Sequence, residues 1–414
     1  MKISIIGAGS TYTPELIEGI AEGRLGVPLD ELLFMDVDAE RLQILGALAR
    51  RMLDRAGWPG RLTLTTSRAE ALDGVDACLL QFRIGGSAAR LLDESIPLKH
   101  GVIGQETVGP GGWASALRTI PPALEIAEEL ARRSPAAWLL DFANPVSIVS
   151  QALIGEGHRA VGLCNVAIGV QRIVSAHLGV DPQRVEVESA GLNHAAWYRD
   201  IRVDGVSQIE RLLLSANAEL ADFSKVSGKE IQRERAVPSY YLRYYREAER
   251  VLAEQRAAGT RGGEVARIES ELLTMFRDPQ LDHKPELLER RGGAYYSTAA
   301  LDLIAALTDV RPARLVVNVR NNGATPDLPS DLVIEALSDV SAGGAQPIPM
   351  APLGGARRDL ILKLGEFGVA TAAAASSRDR AAALHALARN PLISSYEQAE
   401  VIGSELLAAH ARSF

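Results

Sequence analysis

The first forty residues constrain this chain more than any others. An apolar run, Ser4-Ile5-Ile6, ends in Gly7-Ala8-Gly9-Ser10-Thr11-Tyr12-Thr13-Pro14, and a helical stretch follows to Glu22. Glycines where a strand meets a helix let the backbone approach a phosphate closely, and the helix start supplies free N–H groups and a positive dipole end. The third glycine of a GxGxxG turn is missing, because Tyr12 holds its place. Asp36 closes a second apolar run, Glu31–Met35, where an acid accepts the ribose hydroxyls of NAD and repels the extra phosphate of NADP. The segment therefore predicts a dinucleotide site touched by Gly7, Gly9, Ser10, Thr11 and Asp36.

To about residue 190, short apolar runs alternate with helical periodicity, as in a βαβ succession. The strand candidates are Lys2–Ile6, Glu31–Met35, Leu62–Thr65, Ala77–Phe82, Trp138–Phe142 and Ala160–Cys164; helical stretches include Pro14–Glu22, Ala39–Ala56 and Ile120–Arg133. Nearly continuous apolarity suits strands covered on both faces. Beyond a strand at Val185–Ala190 the pattern turns to long amphipathic helices at Ile209–Ala221, Tyr240–Ala258 and Leu301–Leu307. A strand at Ala313–Val319, a proline-rich stretch at Gln346–Pro352 and two closing helices follow. The expected fold class is α/β: a Rossmann-like parallel sheet in an NAD-binding domain at 1–187, then a mixed α/β (α+β) substrate, metal and oligomerisation domain at 188–414.

With 52 acidic against 44 basic residues and a net charge of −8, the 414-residue chain would repel a nucleic-acid backbone. A small anionic substrate stays open, since a few arginines reverse the potential inside one cleft. Two cysteines exclude a disulfide framework. No apolar stretch approaches the roughly 20 residues of a membrane span. The N-terminus lacks a signal peptide's apolar core and cleavage site, so the cytoplasm is the expected compartment.

Cys164 and Asn165 close the run Val161-Gly162-Leu163, which puts the thiol at the carboxyl edge of the sheet, where such folds bind ligands. His194 follows in Gly191-Leu192-Asn193-His194. One thiolate and one imidazole are too few for a structural zinc site but suit an open site completed by substrate oxygens and water. Taken singly, each is as readily a buried structural side chain. Asp141-Phe142-Ala143-Asn144 ends another strand and points Asn144 to the same cleft. In Val237-Pro238-Ser239-Tyr240-Tyr241-Leu242-Arg243-Tyr244-Tyr245, a phenol beside a cation or an arginine can serve as a base, although such a stripe is usually core. Arg261, Arg267 and the Arg290-Arg291-Gly292-Gly293 cluster offer guanidinium groups to an anion. Asp93, Glu94 and Glu106 raise an ordinary two-carboxylate glycosidase, which ranks lower because no spacing singles out one pair.

Together these residues resemble glycoside hydrolase family 4, and within it the 6-phospho-β-glucosidases. The resemblance runs through Gly7–Pro14, Ile96–Gly101, Ile103–Thr107, Gly162–Val166, Gly191–His194, Tyr241–Tyr245 and Asn321–Gly323. It implies hydrolysis through transient oxidation: NAD removes hydride from sugar C3, a tyrosine takes the acidified C2 proton, the aglycone is eliminated, water adds, and the ketone is reduced again. It also implies Mn2+ or another divalent metal on Cys164 and His194, and Tyr241 as the base, with Tyr240 its rival. Arg261 would meet the 6-phosphate, Arg90 and Asn144 the sugar, and Asn165 would favour β- over α-linked substrates, since an amide cannot protonate a leaving group. Ala167 departs from the subgroup, which has proline there. A homodimer or homotetramer is implied. The alternatives are an NAD-dependent sugar or hydroxy-acid dehydrogenase, a family 4 enzyme for non-phosphorylated glycosides, and a non-catalytic NAD-responsive binding protein.

Overall fold

Short, mainly apolar runs become the central strands of the computed structural model, which describes residues 1–215, 218–291 and 295–411. Among these residues thirteen strands form: β1 Lys2–Ile6, β2 Glu31–Met35, β3 Arg61–Thr65, β4 Ala77–Leu80, β5 Trp138–Asp141, β6 Ala160–Gly162, β7 Val185–Leu192, β8 Ala195–Val203, β9 Val206–Ser207, β10 Val237–Pro238, β11 Ala313–Arg320, β12 Val333–Ser341 and β13 Gly344–Pro347. Nine make one sheet in the order β13-β12-β11-β6-β5-β4-β1-β2-β3. Strands β1 to β6 are parallel; β11 then joins β6 antiparallel through Asn318 opposite Gly162. The sheet thus draws its last three strands from residues 313–347. A smaller sheet, β10-β8-β7 with β9 on β8, stands beside it.

Two apolar clusters cover the large sheet. One contains Leu16, Leu45 and Leu301 from helices Thr13–Ala21, Ala39–Arg55 and Tyr296–Leu307. The other contains Trp113, Val149, Phe367 and Ile402 from Gly109–Arg133, Val146–Gly155, Gly355–Ser377 and Tyr396–Ala409. The Ala39–Arg55 helix shows how sequence places such an element: Asp38 accepts from Arg41 N at its start, and Leu42, Leu45, Ala49 and Met52 fall on one buried face.

Several expected elements end differently. The strands near Phe82, Phe142 and Cys164 stop two, one and two residues early, because those residues leave the ladder to line cavities at the carboxyl edge. The helix expected at Ile120 begins at Gly109. Tyr240–Ala258 is broken into a 3-10 turn, Tyr240–Leu242, and helices Arg243–Arg246 and Ala248–Ala258, with Glu247 at φ −133°, ψ 36° between them. Ile209–Ala221 forms helices Ile209–Leu214 and Ala218–Ser224; residues 216 and 217 lie outside the described residues. Three helices follow the proline-rich stretch, not two: Arg378 turns left-handed at φ 53° and the Asp379 carboxylate caps Ala381 and Ala382, which restarts the run as Arg380–Leu387.

The helix Gly86–Lys99 buries Arg90, Asp93 and Glu94 within two turns. Charges are seldom buried without partners. Asp93 accepts from Arg118 on both oxygens, at 2.9 and 2.6 Å, and lies 2.9 Å from His410; Arg90 and Glu94 face the opposite way, into the site.

Candidate active site

The glycine turn builds a groove of about 650 Å³ over the carboxyl ends of β1, β2 and β4. Gly7 has φ +90°, and a Cβ there would come 2.7 Å from the backbone of Phe82; at Gly9 it would meet Asp36 Oδ2 at 2.7 Å. Only glycine leaves that cradle open. Asp36 is held by Gly9 N–H at 2.8 Å and Asp38 N–H at 3.0 Å, and each oxygen keeps lone pairs for further donors. Thr11 is buried beneath the turn, while Ser10 lines the groove. Tyr12, in the place of the third glycine, carries the Arg291 guanidinium 4.2 Å above its ring.

A second cavity of about 910 Å³ opens beside this groove, and both are bordered by Tyr12, Arg83, Phe142, Asn144, Asn165 and Arg291. Cys164 leaves the edge of β6 just before the Val166–Leu178 helix. His194 sits at the turn from β7 to β8, with Leu192 opposite Ala195. Its φ of 63° is uncommon for any residue but glycine, and such conformations gather at functional sites. Asn193 steadies the turn by donating to Glu335 Oε1 at 2.9 Å.

Cys164 Sγ and His194 Nε2 come within 3.5 Å of one another. Desolvation pushes the thiol up to about 12, with Glu335 adding to it, and pushes the imidazole down to about 3, so both are neutral here. Thr107 decides which imidazole nitrogen is free. Its hydroxyl proton goes to Gln105 Oε1 at 2.8 Å, so its oxygen accepts from His194 Nδ1, 2.9 Å away, and Nε2 keeps a lone pair on the cysteine side. A soft sulfur and an imidazole lone pair converging from two loops fit one divalent cation with open positions, and among the described residues no third His, Cys, Asp or Glu completes the set.

Tyr241 lies flat on His194, ring centroids 3.6 Å apart and planes 5° apart, and Tyr240 tilts against it at 4.2 Å. The two phenols share a hydrogen bond, and burial raises both well above the usual range of a tyrosine. Arg90 binds Glu94 at 2.8 Å and Glu106 at 2.9 Å, and Arg83 takes the other Glu106 oxygen at 2.7 Å. Burial opposes ionisation of Glu106, but Arg83, Arg90 and Arg291 outweigh it and hold its carboxyl below the usual range. Glu94 also accepts from Gly262 N–H at 2.7 Å, which fixes the start of helix Arg261–Phe276 and brings Arg261 to the cleft wall.

Of the residues singled out in the sequence, Arg90, Asn144, Cys164, Asn165, His194, Tyr241 and Arg261 border one cavity, and Gly7, Gly9, Ser10 and Asp36 border the adjoining groove. Arg267 pairs with Glu271 on the exposed side of its helix, and Gly292 and Gly293 lie outside the described residues. Sequence reading left Arg83 and Thr107 without a role and set Glu106 aside; only the motif Gly104-Gln105-Glu106-Thr107 marked the last two.

A doubly wound sheet whose dinucleotide cradle opens onto a thiol, an imidazole and a phenol defines an enzyme that brings a nucleotide cofactor and a cation to one polar substrate. The chain belongs to family 4 of the glycosyl hydrolases: the family 4 glycosyl hydrolase model matches residues 2–180, and that of the family's C-terminal domain matches residues 189–393. It is 40% identical over 99% of its length to a Bacillus subtilis (strain 168) protein named "Probable 6-phospho-beta-glucosidase", of which 96% is covered. It is 34% identical over its whole length to the 6-phospho-beta-glucosidase of Escherichia coli (strain K12), again with 96% covered. The Thermotoga maritima 6-phospho-beta glucosidase, solved with manganese, NAD+ and glucose-6-phosphate, superposes with a TM-score of 0.93 at 31% identity, covering 100% of this chain and 99% of that one.

Proposed function

We propose that this protein hydrolyses the O-glycosidic bond of 6-phospho-β-glucosides with NAD and a divalent cation, Mn2+ among them. The carrying observation is the meeting of Cys164, His194 and Tyr241 in the cavity that adjoins the glycine-lined groove. The cradle at Gly7 and Gly9, the acid at Asp36 and the two soft donors suit that pair of groups. When bound, the nicotinamide takes and returns a hydride at sugar C3, and the cation lends Lewis-acid stabilisation as charge develops.

The chain's own residues do the rest. Tyr241 takes the C2 proton; its phenol, raised by burial, is brought toward ionisation by the positive charge of Arg90 and of a cation beside His194. Arg90 and Asn144 hold the sugar, Arg261 meets the 6-phosphate, and Asn165 orients the glycosidic oxygen. Arg90, pinned between Glu94 and Glu106, reaches its post already oriented.

The same reading puts the enzyme in the cytoplasm, where Cys164 stays a free thiol, as a homodimer or homotetramer. Leu91 and Leu92 on the Gly86–Lys99 helix, and Tyr396 and Val401 on the Tyr396–Ala409 helix packed against it, leave apolar surface for a second copy. Residues 1–187 form the cofactor domain and also bring Arg90, Asn144, Cys164 and Asn165 to the site, and residues 188–414 add His194, Tyr241 and Arg261. The deciding experiment assays 4-nitrophenyl α- and β-glucosides, with and without a 6-phosphate, in NAD+ and Mn2+. Turnover of the 6-phospho-β-glucoside alone, without NADH accumulating, is expected; steady NADH growth would mark a dehydrogenase instead.

A further inference from the structure

One wall of the catalytic cavity carries none of these roles. It is built by Gly169, Arg172 and Ile173 of helix Val166–Leu178, Glu219 and Phe223 of helix Ala218–Ser224, and Tyr240. Phe223 meets Tyr240 edge to face, centroids 6.0 Å apart at 88°. Gly169 makes room for it, since a Cβ there would lie 2.9 Å from Phe223 Cε2. Ile173, Phe223 and Tyr240 are half-buried and Glu219 is exposed, so the wall leads from solvent toward Cys164.

We propose that this wall is the aglycone subsite and that it selects a planar aromatic leaving group, a phenol joined to the sugar through its oxygen. The proposal rests on reading the cavity as a 6-phospho-β-glucosidase site. Two half-buried aromatic rings at right angles leave a face and an edge on which a flat ring packs. The chemistry agrees. Both deep carboxylates are committed, Glu106 to Arg83 and Arg90, Glu94 to Arg90 and Gly262 N–H, and Asn165 beside Cys164 offers only an amide. When Tyr241 removes the C2 proton, the electron pair left behind becomes the C1–C2 double bond. The C1–O pair departs on the aglycone oxygen, which later takes a proton from water. An aryloxide spreads that charge over its ring; an alkoxide cannot.

The test uses the enzyme with NAD+ and Mn2+ and three substrates, phenyl, methyl and glucosyl 6-phospho-β-glucosides. Binding of phenyl and methyl 1-thio-β-glucoside 6-phosphates is followed by calorimetry. Phe223→Leu, which keeps apolar volume but loses the ring, and Gly169→Ala, which displaces the ring, should each lower the phenyl-to-methyl ratio roughly three- to tenfold in kcat/KM and in thioglycoside affinity. Glu219→Gln should leave that ratio unchanged. Equal loss on phenyl and methyl ligands, or preference for the glucosyl substrate, overturns the aromatic subsite. Slowing by Glu219→Gln of the methyl substrate alone would reveal a proton donor and overturn it too. If the unmodified enzyme turns over none of the three, the reading of the whole cavity fails, and the subsite with it.

Discussion

Thr107 and His194 form one hydrogen-bonded pair, Oγ1 to Nδ1 at 2.9 Å, and through it a side chain outside the lining of the catalytic cavity sets which imidazole nitrogen faces Cys164. Partners of this kind are worth about 10- to 100-fold in metal affinity. Thr107→Val should weaken Mn2+ binding by that much in a titration followed by electron paramagnetic resonance, with thermal stability little changed. Unaltered affinity would mean that the imidazole is oriented without threonine.

Because the Cys164 thiol stands at about 12 and a metal binds the thiolate, cation uptake must expel its proton. Mn2+ binding should release about one proton near pH 7, read by calorimetry in buffers of different ionisation heats. Apparent affinity should climb about tenfold per pH unit, and a chelator should abolish activity reversibly. Cys164→Ser should remove most of the proton release.

Tyr241→Phe should cost about 10²- to 10⁴-fold in kcat, the usual worth of a positioned base, while NAD+ and sugar-phosphate affinities stay near those of the unmodified enzyme. Exchange of the C2 hydrogen with deuterated solvent should stop as well. If exchange survives in Tyr241→Phe but is lost in Tyr240→Phe, the base is the neighbouring phenol.

Gly9→Ala should weaken NAD+ binding about tenfold or more, measured by quenching of intrinsic fluorescence, because the new methyl would press on Asp36 Oδ2 at 2.7 Å. Activity at saturating NAD+ should return toward normal if the damage is confined to the cradle.

Asp141, fully buried at the end of β5, accepts from Ser150 Oγ at 2.8 Å and Ala143 N–H at 2.9 Å, yet burial pushes its carboxyl up to about 8. The folded chain therefore holds a proton that the unfolded chain loses near pH 4. That contribution to stability is complete below about pH 4, shrinks as pH rises, and is gone above about pH 8. Asp141→Asn should flatten the fall in melting temperature between pH 5 and pH 8. An unchanged slope would show that this carboxyl is already ionised.

Legibility in the sequence followed distance along the chain. The glycine turn, β1 and β2 could be read to the residue, because a strand, a turn and an acid within forty positions constrain one another locally. The union of Gly162 with Asn318 could not, since nothing near either residue announces a partner more than 150 positions away. The helix bearing Arg90 was also hidden: Arg90, Asp93 and Glu94 are buried by pairing, which apolar periodicity does not register. Cys164 and His194 stood out by residue type. Thr107 did not, for its importance lies in a hydroxyl already committed to Gln105.

Because β11 to β13 are stitched onto the edge of the cofactor sheet, with Asn318 opposite Gly162 two residues before Cys164, the two halves of the molecule share one backbone ladder. A clamshell hinge between them would have to tear that ladder. The exposed rim of the cavity, Glu219, Glu254 and Ala258, lies on short helices outside that ladder, so a substrate reaches the site without any parting of the two halves.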